Sequence, residues 1–166
     1  MWARKQKSKG FTLVEILIVV VILGILAAIV IPQFTNASET AKASSLISQL
    51  QTIRSQLELY QVQHNGNYPT LAQMWGNLTS QTDVNGATTG TDFGPYLQKA
   101  PANPFVVSTS ATTVAADASG GWKYTAATGA IRAVIPASKW TNLYELGLGS
   151  AADEAGSENS DVTKGS

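Results

Sequence analysis

The chain has 166 residues, 44% of them hydrophobic, with eleven Lys and Arg, eleven Asp and Glu, one His and no Cys. That length suits one domain of ordinary size, and the lack of cysteine excludes disulfides, thiol catalysis and thiolate metal sites together. The zero net charge is uneven: Arg4, Lys5, Lys7 and Lys9 precede residue 10 with no acid beside them, while the remainder carries seven basic and eleven acidic residues, about −4; basic residues scattered in this way give no support to nucleic-acid binding.

The first predicted element is an apolar helix. Phe11 to Ile31 covers 21 residues and is uninterrupted by polar side chains after Glu15. As a helix it is roughly 31 Å long, which matches the ~30 Å hydrocarbon core of a bilayer. The basic flank before it places the N-terminus in the cytoplasm and the C-terminal part outside. A secretory signal peptide fits poorly, because its apolar region is about 7–15 residues and ends at a small-residue cleavage site. Here the run is longer and ends in Pro32-Gln33-Phe34. A plain single-span anchor fits the length and charge bias but leaves Glu15 unexplained.

The string Gly10-Phe11-Thr12-Leu13-Val14-Glu15, followed by the apolar run, resembles the processing site of type IV prepilins and type II secretion pseudopilins. The resemblance implies cleavage between Gly10 and Phe11 by a prepilin peptidase and N-methylation of the new Phe11 amine. It also implies that Glu15 pairs with the Phe11 amine of a neighbouring subunit, and that Pro32 is the proline common in the family's long helix. Glu15 sits roughly 6 Å into the span, so its cost in lipid is below the about 2.5–3.5 kcal/mol of a mid-bilayer charge.

After Pro32 the chain stays helix-compatible to about His64. Leu46, Leu50, Ile53, Leu57 and Tyr60 recur at spacings of four and three, one apolar stripe that reads as core. Asn65-Gly66-Asn67 and Pro69 then stop the helix. A helix of about 50 residues follows, kinked at Pro32, lipid-facing in its first half and domain-packed in its second. His64 is expected at the solvent-facing helix end.

Thr70-Leu71-Ala72-Gln73 reads as a capping-box start to a brief helix through Met74 and Trp75. Residues 79–92 read as a surface loop, and Gly94-Pro95-Tyr96-Leu97 with Pro101-Ala102-Asn103-Pro104 as an irregular, packed connection. Phe105–Val107 and Thr112–Ala115 are short strand candidates. Trp122–Ala126 and Ile131–Ile135 alternate around Thr128-Gly129 and predict a hairpin, with Trp122, Tyr124, Ile131 and Ile135 facing the helix. The fold class is α+β: one long helix against a small antiparallel sheet. Tyr68-Pro69-Thr70, Gly94-Pro95-Tyr96-Leu97 and Pro101-Ala102-Asn103-Pro104-Phe105 fall in the order shown by the major pseudopilin of type II secretion, which this head resembles.

The tail carries Asp153, Glu154, Glu158 and Asp161. The resemblance implies a calcium-binding C-terminal loop there, and carboxylates with an Asn amide are suitable oxygen ligands; a solvated acidic tail is the competing reading. No other cofactor is expected. One His and no Cys exclude a histidine metal cluster and a thiol nucleophile pair. No Ser lies in a glycine-rich nucleophile turn, so the chain does not read as an enzyme. Asn36-Ala37-Ser38 and Asn77-Leu78-Thr79 match the short glycosylation pattern.

The domain reading is a leader at 1–10, a transmembrane assembly helix at 11–32, an exported head at 33–150 and an acidic tail at 151–166. The functional expectation is a filament subunit of a type II secretion pseudopilus or type IV pilus, anchored in a bacterial inner membrane with its head in the periplasm. Its expected partners are its own copies, the membrane, the prepilin peptidase and methyltransferase, and an inner-membrane assembly platform. The alternatives are a membrane-tethered periplasmic binding protein, or a minor pilin with an adhesive or DNA-uptake role.

Overall fold

A computed structural model describes residues 10–139 and 162–164. Helix α1 spans Leu13–Gln63, 51 residues, and continues through Pro32. A 3₁₀ turn at Leu71–Gln73 leads into helix α2, Met74–Thr79. Four strands follow: β1 Val114–Ala115, β2 Trp122–Thr125, β3 Ala130–Ile135 and β4 Val162–Lys164. The chain divides into two compact units, Met1–Ser38 and Glu39–Ser166.

In the first unit the helix is bare: every residue from 13 to 38 is exposed. In the second, the expected stripe is the core. Leu46, Leu50, Ile53, Leu57 and Tyr60 are buried, joined by Ala43, and cluster with Met74, Leu78, Trp122, Tyr124, Ile131, Ala133 and Ile135. Fully burying side chains of this size contributes about 1.5–3 kcal/mol each, and this cluster orients the sheet on the helix. Between the stripe residues, Ser44, Ser48 and Thr52 each donate a hydroxyl to the carbonyl four residues earlier. Their polar groups are thereby satisfied on the helix itself.

The helix ends where Asn65 and Gly66 both take positive φ, 56° and 83°. The Gly66 N–H donates to the Gln61 carbonyl at 2.9 Å, closing the last turn as left-handed C-caps do. The expected capping box at Thr70 is absent: its hydroxyl donates to Gln73 Oε1 and makes no bond to the backbone of the helix. A 3₁₀ turn therefore opens that segment instead of a capped α-helix.

The hairpin forms as expected, with Trp122 opposite Ala133 and Tyr124 opposite Ile131. Its turn requires Gly129, whose φ is +69°; a Cβ there would meet the Tyr68 ring at 2.3 Å. The sheet is mixed: β2 and β3 are antiparallel, whereas β1 pairs with β2, and β4 with β3, in parallel. Phe105–Val107 forms no strand; the Phe105 N–H is held by the Asn103 side chain. Asn103 also donates from Nδ2 to the Gly121 and Val134 carbonyls, at 2.8 and 2.7 Å. Trp122 Nε1 donates to Pro101 O, which binds the proline-rich connection to the hairpin, and Tyr124 Oη donates to Pro69 O, which binds the segment after α1 to it.

Two expectations about the helix end and the loop are corrected. His64 is buried, not solvent-facing, at 1% exposure. Its Nδ1 lies 2.8 Å from the Tyr60 carbonyl and its Nε2 3.0 Å from Thr82 Oγ1. A carbonyl can only accept, so Nδ1 carries the proton and Nε2 accepts from the threonine in the neutral ring. The imidazole stacks on Tyr60 at 3.6 Å between near-parallel planes. The 79–92 segment is not wholly a surface loop either. Thr82 is fully buried and bridges to Phe93, and the Asp83 carboxylate accepts from the Asn85 and Ala87 N–H groups. The acidic stretch 151–161 lies outside the described residues, while Val162–Lys164, expected within the tail, joins the sheet.

Candidate processing and assembly site

Gly10, Phe11 and Thr12 precede α1 without helical structure, and all three are exposed. Helix formation begins at Leu13 because Thr12 and Glu15 satisfy each other's backbone. The Thr12 N–H donates to Glu15 Oε2 at 2.8 Å, and the Glu15 N–H donates to Thr12 Oγ1 at 3.3 Å. The two exchanges make a capping box, in which N-cap and N3 residues meet each other's orphan donors. The Thr12 hydroxyl also donates to the same Oε2, at 2.8 Å. Glu15 further lies in the first turn, where the helix dipole favours negative charge.

This arrangement leaves one carboxylate oxygen, Oε1, without a hydrogen bond to a described residue. One oxygen is committed within the chain, and the other is open to a donor from outside it. Phe11 lies four residues before Glu15, with its side chain exposed. Thr12 was not singled out in reading the sequence; the Thr-x-x-Glu spacing before an apolar run is the signal that identifies it.

Beyond Glu15, the side chains from Ile16 to Ile31 form one continuous apolar surface. Fifteen large apolar residues between Leu13 and Ile31 are exposed, and the helix is long and apolar enough to cross a membrane. At about 1.5–3 kcal/mol per side chain, the unburied transfer energy is on the order of tens of kcal/mol. That exceeds the roughly 5–15 kcal/mol stability of a typical folded domain. Lipid or other protein must cover this surface.

The remaining candidates separate clearly. Asp153, Glu154, Glu158 and Asp161 lie outside the described residues, and among the described residues no group of three or more His, Asp or Glu could hold a metal. Asn77 is 2% exposed and donates from Nδ2 to Tyr60 Oη, so its glycosylation pattern is closed to modification. Asn36 is exposed on α1. Burial pushes the Tyr60 and Tyr96 phenols up, and Tyr124 well above the ordinary tyrosine range. These groups remain neutral hydrogen-bonding partners in the core.

Comparison with known proteins gives two matches along the chain. Residues 5–31 match the prokaryotic N-terminal methylation motif, and residues 33–113 match protein G of the type II secretion system. The second match ends just before β1. The core protein G of Klebsiella pneumoniae is 33% identical over 100 residues, 60% of this chain and 71% of that protein. That of Pseudomonas aeruginosa is 37% identical over 102 residues, 61% of this chain and 70% of that protein. The protein from Dickeya chrysanthemi is 32% identical over 101 residues, covering 61% and 65%. No solved structure matches the chain. With a methylation motif heading its apolar helix and relatives of this identity and coverage, the chain belongs to the type II secretion system protein G family.

Proposed function

We propose that this chain is the major structural subunit of a type II secretion pseudopilus, made as a membrane-anchored precursor and assembled into a helical filament. The observation that carries the reading is the bare apolar helix headed by a carboxylate with one oxygen already capped and one open. Before assembly, lipid covers the fifteen large apolar side chains; afterwards the same helices of other copies cover them. A head-to-tail contact that does not close into a ring generates a helical fibre.

The chemistry of the first turn fits the transfer. Cleavage between Gly10 and Phe11 creates an amine four residues from Glu15, and methylation leaves it able to carry a positive charge. Glu15 Oε1 then accepts from the Phe11 amine of a neighbouring copy while Oε2 keeps its bonds to Thr12. Leaving either charge buried without its partner is strongly unfavourable, so the pair fixes the axial register between copies. The family's role is structural, and no step here requires the chain to act as an enzyme. The peptidase, the methyltransferase and an inner-membrane platform are the partners this route requires, with the N-terminus in the cytoplasm and the head in the periplasm. Intact mass of the protein from membranes of a host with a working prepilin peptidase tests the route. The expected result is loss of residues 1–10 and gain of one methyl group; an uncut chain contradicts it.

A further inference from the structure

Filament assembly makes no use of a small polar cavity inside the head, where the end of α1, the 3₁₀ turn with α2, and the segment after α2 meet. Its volume is about 70 Å³, and Tyr60, Asn67, Gln73, Asn77 and Asn85 are among the residues that line it. Two of these are buried and incompletely paired. Asn77 is 2% exposed; its Nδ2 donates to Tyr60 Oη at 2.9 Å, while its Oδ1 has no hydrogen-bond partner among the described residues. Turning the amide over does not remove the deficit, since Oδ1 then accepts from the hydroxyl and Nδ2 is left without an acceptor. Tyr60, equally buried, accepts from Asn77 through its hydroxyl and keeps a proton of its own to donate. A buried amide left half-matched costs stability, and native cores seldom tolerate it.

We propose that this cavity is a built site for ordered water, with one molecule donating to Asn77 Oδ1 and accepting from the Tyr60 hydroxyl. Size, charge and access select that occupant. A site needs about 10–15 Å³ to admit a water, whose share of the liquid is about 30 Å³. The cavity of about 70 Å³ therefore has room for about one or two, and lies well below the roughly 300–1,000 Å³ of pockets for larger ligands. Among the described residues no Lys, Arg, Asp or Glu lines it, and both His64 nitrogens are engaged elsewhere. An ion placed here is buried without a counter-charge. Thr70, Gln73 and Asn85, which also line it, are exposed, so solvent has a way in. The loop backbone packs against the same pair: a Cβ at Gly86 would meet Tyr60 Oη at 2.5 Å and Asn77 Nδ2 at 3.3 Å. The water thus joins the end of α1 to α2 at the point where the loop closes over both. The site belongs to the head alone and does not depend on the filament reading.

Oxygen-17 relaxation dispersion of water, which counts molecules held on the timescale of tumbling, tests the site in the full chain in detergent micelles. Wild type is compared with the double variant Tyr60→Phe, Asn77→Leu, which keeps the approximate shape of the pair and removes both polar ends. The variant should lose about one or two long-lived waters, and its melting temperature should fall by about 2–4 °C. Equal relaxation in the two chains overturns the proposal. So does a melting temperature at or above wild type, because replacing a dry, half-matched pair by apolar groups is neutral or stabilising. Should the double variant fail to fold, cross-relaxation between water and the Asn77 side-chain amide of wild type decides. Laboratory-frame and rotating-frame Overhauser effects of opposite sign support a held water, and their absence overturns it.

Discussion

The two parts of α1 share one helix and have opposite ways of hiding apolar surface. From Leu13 to Ile31 the large side chains are exposed all round. From Ala43 to Tyr60 only one stripe is apolar, and the chain's own hairpin and α2 bury it. Regular secondary structure is therefore not the distinction between them. The first part is complete as a helix and incomplete as a folded surface, whereas the second is complete in both senses. Stability of the head and assembly of the chain should accordingly respond to different substitutions.

The largest effect on stability should come from the second part. Leu50→Ala removes a side chain that is 1% exposed, and should cost about 2–5 kcal/mol, read as a lowered midpoint in thermal or denaturant unfolding of the head. Val20→Ala, a similar truncation in the first part, should leave that midpoint unchanged. An equal loss from both would break the comparison.

His64→Ala comes next. It leaves Thr82 and the Tyr60 carbonyl without their buried partner, for a loss of about 1–3 kcal/mol. Faster hydrogen exchange in residues 80–93 should accompany it, since the histidine joins that segment to the end of α1. Thr12→Ala is smaller, about 0.5–2 kcal/mol of helix stability, and should appear as exchange confined to the first turn with no change in head melting.

The pH response should be the mildest. Burial raises the Tyr60, Tyr96 and Tyr124 phenols above their ordinary value of 10.0. The folded state then holds these protons more tightly than the unfolded chain. Their contribution is fully present below pH 10 and declines as pH rises beyond it. Ultraviolet titration should show these phenols ionising last, with Tyr124 latest and together with unfolding.

Much of this was legible in the sequence where the signal was local and periodic. Leu46, Leu50, Ile53, Leu57 and Tyr60 announce their face through spacing alone, and the hairpin through alternation around Gly129. The processing string announces itself through an unusual order of residue types. What was missed depended on distant partners. His64 carries no local sign of burial, because Thr82 lies 18 residues away along the chain. The mixed character of the sheet was hidden because β1 has only two residues and β4 three, too few for any alternation to register. Thr12 was legible but overshadowed: the capping signature overlaps the processing motif, and one reading of the string obscured the other.

The central claim is that the exposed rod is covered by copies of the chain and that Glu15 sets their register. Electron microscopy of sheared fractions tests it most directly, comparing wild type with Glu15→Ala in cells making equal amounts of cleaved, membrane-inserted subunit. The account predicts filaments from the wild type and their loss from the variant, with the head's melting temperature unchanged. Filaments of normal number and length from Glu15→Ala would contradict it.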